Sequence, residues 1–235
     1  MKALILAAGL GSRLAPLTDK YPKAMVPVNG VPIIYKQIDN LIANKVFDIT
    51  VVSGYKANYL KQRINEIYPD VHFIENFDYV STNNMYSAYL ARYAMRDSDF
   101  LMMNADVFYD KTVLTSLIAC DAPNAIVTDI GLYNDESMKV IERNGRIVQI
   151  SKTISAEDAL GCSIDVYKFS RIGGQMFFDM CTDYIEKEHI LNKWSEVALN
   201  DILEIIEFKA CPLNGRWYEI DNFEDLQKAE VMFKE

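Results

Sequence analysis

The feature that most constrains this chain lies near its N-terminus. Lys2 to Ala7 (KALILA) is an unbroken apolar run of strand length, and it empties into Gly9-Leu10-Gly11-Ser12-Arg13. A run of that kind reads as a strand buried on both faces, which belongs in a parallel sheet covered by helices. The glycines permit a tight turn and leave backbone N–H groups free to face an anion. Two phosphate loops are excluded by inspection. The G-x-G-x-x-G fingerprint needs a small residue where Leu14 stands, and G-x-x-x-x-G-K-[ST] does not occur. What remains is a Gly-x-Gly-Ser-Arg loop followed by Lys23. The first 23 residues carry Lys2, Arg13, Lys20 and Lys23 against the single acid Asp19, in a chain of formal charge −9. Such a local reversal of sign suits an anionic triphosphate. The apolar run is too brief for a secretory leader.

The first half continues with alternating patterns. A helix is expected over Ile33 to Asn44, a strand over Asp48 to Ser53, a helix over Ala57 to Tyr68 and a short strand over Val71 to Glu75. A helix over Asn84 to Met95 and a buried strand over Asp99 to Asn104 follow. Alternation of this kind predicts right-handed βαβ units and a mainly parallel sheet flanked by helices, an α/β Rossmann-like fold. Beyond about residue 120 the texture turns to short strands: Asn124 to Ile130, Met138 to Glu142, Ile147 to Ser151 and Gly161 to Phe169, with a hairpin signal at Asn144-Gly145. Helices are expected over Arg171 to Lys187 and Ser195 to Leu203, strands over Ile205 to Cys211 and Arg216 to Ile220, and a last helix capped by Asn222. With no linker or repeat, the expectation is one domain over 1–235. Its first half is about 1–110, and its β-rich second half, expected to complete the active site, is about 111–235.

An excess of 33 acidic over 24 basic residues argues against a nucleic-acid partner, which needs a basic face. No apolar stretch approaches the roughly 20 residues that cross a bilayer. Cys120, Cys162, Cys181 and Cys211 are widely spaced, and only His72 and His189 accompany them. Reduced buried thiols in a cytoplasmic protein are therefore expected rather than a zinc site, and any metal should be a hard ion on carboxylates.

The segment Leu6-Ala7-Ala8-Gly9-Leu10-Gly11-Ser12-Arg13-Leu14-Ala15-Pro16-Leu17-Thr18, with Pro22-Lys23-Ala24-Met25-Val26-Pro27-Val28, resembles the opening signature of the sugar-phosphate nucleotidyltransferase family. Asn104-Ala105-Asp106 and Trp217-Tyr218-Glu219-Ile220-Asp221 extend the likeness. The resemblance implies a GT-A-like fold. It implies that Arg13 and Lys23 bind nucleotide phosphates, that the backbone from Leu6, Ala7 and Ala8 through Gly9, Gly11 and Ser12 cradles the nucleotide with Ala105, and that Asp106 and Asp221 hold Mg²⁺. Each aspartate also ends or follows an expected strand, so both suit one sheet edge.

Ser81-Thr82-Asn83-Asn84-Met85-Tyr86-Ser87 looks like the small cytidylyltransferases that act on phosphocholine and is similar to those acting on 2-aminoethylphosphonate or inositol phosphate, while Gly161 to Ser170 (GCSIDVYKFS) looks like the phosphonate-linked members. Asp165 stands where those members carry glycine. Asn83 and Ser87 are candidates to read the cytosine edge, while Asn83 or Asn84 is equally suited to cap the following helix. Lys152 is a candidate for the acceptor phosphate, with a surface lysine as the alternative. Gly161, Asp165, Trp217 and Glu219 are candidates for the acceptor. A trimethylammonium head would want aromatic faces and a primary amine would want carboxylates. Trp194, Trp217, Tyr133 and Tyr218 offer the former, and Asp129, Asp165, Glu196 and Glu219 the latter; the reading leans to an amine. The expected partners are CTP and a small anionic phosphate or phosphonate, with no nucleic acid and no membrane, in a monomer or homodimer. A sugar-1-phosphate uridylyl- or thymidylyltransferase and an inactive nucleotide-sensing module are the alternatives.

Overall fold

The computed structural model describes residues 1–133 and 137–234. Its strands are β1 (Lys2–Ala7), β2 (Pro27–Val28), β3 (Val31–Pro32), β4 (Asp48–Ser53), β5 (His72–Glu75), β6 (Phe100–Asn104) and β7 (Val107–Tyr109). After these come β8 (Ala125–Ile130), β9 (Lys139–Arg143), β10 (Arg146–Ser151), β11 (Gly161–Phe169), β12 (Lys209–Pro212) and β13 (Trp217–Glu219). The helices are α1 (Ile33–Ala43), α2 (Ala57–Asn65), α3 (Asn84–Leu90), α4 (Arg92–Met95), α5 (Lys111–Ala119), α6 (Arg171–Thr182), α7 (Ser195–Ile202) and α8 (Phe223–Met232).

The expected parallel sheet is present as β6-β1-β4-β5, all parallel. The second half joins it through β11, which runs antiparallel to β6, β8 and β9. Burial on both faces shows in alternation along β1: Ala3, Ile5 and Ala7 enter one core with α1, α2 and α5, while Leu4 and Leu6 enter another with α3, α6 and α7. The split follows from crossover handedness. The chain steps outward from β1 to β4 and β5, then returns past β1 to β6, so right-handed connections place the helices of the return on the opposite face. The second core is dominated by rings. Phe100 stacks on Phe169 at 4.9 Å and on Phe178 at 5.4 Å, and each such buried ring contributes about 1.5–3 kcal/mol.

A third cluster locks the site's flanks together. Leu14, Val26 and Val28 pack on Ile220, Leu226, Ala229 and Phe233, joining the segments beside Arg13 and Lys23 to α8. Helix α8 begins with the expected Asn222 cap, completed as a capping box with Asp225.

Several expectations are corrected. The helix over Asn84 to Met95 is two, broken at Ala91, whose ψ is −1°. The helix expected over Arg171 to Lys187 does reach Lys187, but beyond Thr182 it widens, the Glu188 N–H bonding the Asp183 carbonyl five residues back. The strand expected from Ile205 begins at Lys209, because Ile205 and Ile206 continue the last turn of α7 by donating to Ile202. Helix α5 forms where the reading assigned none. All four cysteines are free, and Cys162, Cys181 and Cys211 are buried. No helix among the described residues is long and apolar enough to cross a membrane.

Candidate active site

The carboxyl ends of β1, β4 and β6 converge where the strand order reverses about β1, the position at which open α/β sheets bind ligands. There the chain leaves β1 and turns at Gly11, whose φ is +63°. A Cβ at Gly11 would stand 2.8 Å from the Cβ of Lys23, so glycine answers both a left-handed backbone and a close approach. Thr18 Oγ1 donates to the Gly11 carbonyl at 3.0 Å and holds the turn shut. Gly54, at the end of β4, approaches Ala8 so closely that a Cβ would lie 2.7 Å from the Ala8 oxygen.

Asp106 and Asp221, distant in sequence, are made neighbours by the β7–β13 pair. Glu219 registers with Val107, and the Ile220 N–H donates to the Asp106 carbonyl at 2.9 Å. Lys23 Nζ then donates to Asp106 Oδ2 at 2.9 Å and Asp221 Oδ1 at 2.7 Å, and Arg13 reaches Asp221 Oδ1 at 2.9 Å. Burial alone would lower the Lys23 pKa, but the two carboxylates outweigh it and hold the ammonium well above its usual range. Burial works against the Asp221 charge too, yet Lys23 foremost, with Arg13 and Lys152, keeps its pKa below the usual value. Burial, followed by the charges of Asp106 and Asp221, pushes Glu219 up to about 8.

One oxygen each from Asp106, Glu219 and Asp221 lie within 4.8 Å of one another, as ligands of a single hard cation would. Asp106 Oδ1 is buried without a hydrogen-bond partner. An orphaned carboxylate oxygen facing two further carboxylates fits a divalent cation well.

A cavity of about 340 Å³ joins these groups to Leu6, Ala8, Gly9, Gly11, Ser12, Asn83, Ser87, Lys152, Asp165 and Glu219. Of the residues singled out from sequence, Ala7 and Ala105 instead face the core beneath it. Asn83 caps α3, its Oδ1 accepting from the Asn84 N–H at 2.8 Å, and it also lines the cavity. Ser87 Oγ accepts a hydrogen bond from Nδ2 of buried Asn76 at 3.2 Å. Lys152 follows β10 and places its Nζ 4.8 Å from the Trp194 ring centroid. Two acceptor candidates stand outside this cavity. Gly161 is required by strand pairing, since a Cβ there would meet the Asp129 oxygen at 2.2 Å. Trp217 lines an adjoining hollow and donates its Nε1 proton to Asp129 at 2.7 Å.

The sequence reading gave no role to Asn76 or Tyr79, took Asn84 only as a cap candidate and Asn104 only as part of a motif, and all four stand on the cavity wall. Asn104 carried a signal, being the last residue of a buried strand two positions before Asp106. Asn76 and Tyr79 carried none, because the loop after β5 has no periodicity.

A parallel sheet that brings a cationic glycine loop and a carboxylate cluster to one switch point has the layout of α/β enzymes that handle nucleotides. The chain belongs to the nucleotidyl transferase family, whose model matches residues 2–141. It is 31% identical to the CTP:phosphoglutamine cytidylyltransferase of Campylobacter jejuni over 251 residues, covering 97% of this chain and 98% of that one. Over 108 residues it is 40% identical to the 2-aminoethylphosphonate cytidylyltransferase of Lancefieldella rimae, covering 45% of this chain and 42% of the relative. In three dimensions it is similar to the CTP:phosphocholine cytidylyltransferase of Streptococcus pneumoniae, with a TM-score of 0.82 at 24% identity over 99% of both chains.

Proposed function

We propose that this nucleotidyltransferase moves a cytidylyl group from CTP to a small phosphate or phosphonate acceptor and releases pyrophosphate. The observation that carries the proposal is the Lys23 ammonium bridging Asp106 and Asp221 at the mouth of the glycine loop, with Arg13 beside it. The relatives named above, whose names give CTP and phosphorylated or phosphonate acceptors, support the choice of nucleotide. So does a cavity wall rich in neutral amides and hydroxyls at Asn76, Asn83, Asn84 and Ser87, which donate and accept without adding charge.

In the reaction an oxygen of the acceptor phosphate attacks the α-phosphorus of CTP. A P–O bond forms there as the Pα–O–Pβ bond breaks, and its electron pair departs with pyrophosphate. The acceptor oxygen is already ionised, so the protein needs no nucleophile or general base, and its task is positioning and charge neutralisation. The Gly9–Gly11 backbone and Ser12 hold the phosphates, Arg13 and Lys23 oppose the charge that grows on the leaving group, and Lys152 meets the acceptor phosphate. Asp106 and Asp221, with Glu219 beside them, would hold Mg²⁺. Bound there, Mg²⁺ supplies further positive charge to the phosphoryl oxygens.

Pyrophosphate release measured with each of CTP, UTP, dTTP and ATP against a panel of small phosphates tests the reading. CTP should lead by tenfold or more, and equal or greater turnover with UTP or dTTP refutes the cytidylyl assignment. In the same assay Asp106→Asn should lose on the order of 10²–10³ in turnover while keeping the wild-type circular dichroism spectrum. Undiminished Mg²⁺-dependent turnover in that variant refutes the metal role.

A further inference from the structure

Resting on this reading of the cavity as a transfer site, the chemistry of one wall narrows the acceptor. Asp165 sits on β11 where the register with β8 slips between Ser163 and Tyr167, and it adopts φ +58°. That left-handed conformation suits glycine best and aspartate better than most other residues, and here it turns a carboxylate into the cavity. Asn104 Nδ2 donates to Asp165 Oδ2 at 3.0 Å. Across from it, Glu196 in the first turn of α7 is only 3% exposed and lines the same cavity.

The phenol of Tyr167 lies 3.0 Å from Asp165 Oδ1 and 2.9 Å from Glu196 Oε1. It carries one proton, so it satisfies one carboxylate at a time. The remaining hydrogen bonds described for the pair also come from neutral donors, Asn104 to the aspartate, and Ser195, Asn84 and a backbone N–H to the glutamate. Arg13 and Lys23 are committed to the carboxylates at the mouth, and Lys152 lies over the Trp194 ring. Two acids held this close in a secluded wall are costly as charges unless a cation joins them. Burial first, and then the charge of Glu196, pushes Asp165 well above the usual carboxylate range, consistent with a missing cationic partner.

We propose that Asp165 and Glu196 receive a primary ammonium group of the acceptor, which makes the second substrate an aminoalkyl phosphate or phosphonate. An –NH₃⁺ brings three donors as well as charge, and so supplies what one phenolic proton cannot. A quaternary ammonium brings charge without N–H and binds best on aromatic faces. Among the described residues the cavity offers Tyr79 and Trp194, and Trp194 already carries Lys152. A neutral hydroxyalkyl head leaves the carboxylates unpaired.

The test compares 2-aminoethyl phosphate, 2-aminoethylphosphonate, phosphocholine and 2-hydroxyethyl phosphate as acceptors with CTP and Mg²⁺, while calorimetry follows CTP binding without acceptor. The aminoethyl compounds should exceed the other two by at least about tenfold in kcat/KM. In Asp165→Gly, which the backbone conformation favours, and in Asp165→Asn, that ratio should fall toward one through a rise in acceptor KM. Equal use of aminoethyl and hydroxyethyl phosphates, a preference for phosphocholine, no turnover of any aminoethyl acceptor, or an unchanged ratio in both variants overturns the proposal. CTP binding with turnover of other acceptors would leave the cytidylyl reading standing; failure to bind CTP would remove both.

Discussion

Lys23 shows how one side chain serves two states of a site. With its Nζ 2.9 and 2.7 Å from two carboxylates, it supplies the positive charge between them before any ligand arrives. Removing that charge leaves two half-buried anions facing each other, so Lys23→Met should lower stability by up to roughly 3 kcal/mol. Mg²⁺ should restore part of that loss and raise the Tm of the variant more than that of wild type, because only the wild-type lysine competes with the ion. Equal Mg²⁺ shifts in a thermal melt would show that lysine and metal do not share the carboxylates. The importance of Lys23, Asp106 and Asp221 was legible from residue type and local motif. Their mutual contact was not, since Lys23 and Asp221 are separated by 198 positions. Glycine at 161 invited a functional reading from motif alone, and the close passage of the Asp129 carbonyl accounts for it instead.

At the level of elements, what could be read depended on whether one face of the pattern decided the outcome. Strands β1 and β4 were plain because both faces are apolar, and α1 because Ile34, Ile38 and Leu41 share a face toward the first core. Helix α5 carries Val113, Leu114 and Leu117 at helical spacing, but it is short and has no side-chain cap to announce it. Ile205 and Ile206 have the β-branched look of a strand, while the turn that closes α7 takes their N–H groups. Helix α6 lies against the aromatic layer at Gly174, where a Cβ would come within 2.4 Å of Phe100 Cε1. Phe100 is clamped between Phe169 and Phe178 and has little room to retreat. Gly174→Ala should therefore lose about 1–3 kcal/mol in urea unfolding, in spite of the better helix propensity of alanine. A neutral or stabilising result would mean that the ring layer shifts freely.

For the molecule as a whole, the formal charge of −9 counts every acid as ionised. Burial, with neighbouring acids after it, raises the pKa of Asp165 and takes that of Glu219 to about 8, so these two acids release their protons less readily than that count assumes. The sign of the stability effect follows. Asp165 binds its proton more tightly in the folded chain than in the unfolded one, so its contribution is fully present below about pH 4 and is lost as pH rises toward its raised pKa. Asp165→Asn removes that dependence, and its stability relative to wild type should rise from pH 5 to pH 8 in urea titrations; parallel curves would contradict the assignment. The joining of β13 to β7 also has a temporal meaning. At roughly 5–20 residues per second, a ribosome that has released Lys23 needs about 10–40 s more to deliver Asp221, 198 positions later. The glycine loop and the parallel strands are made early, whereas the carboxylate pair is completed only when the last part of the chain returns to the first. A nascent protein thus passes through a period in which the glycine loop and its strands exist without the second carboxylate.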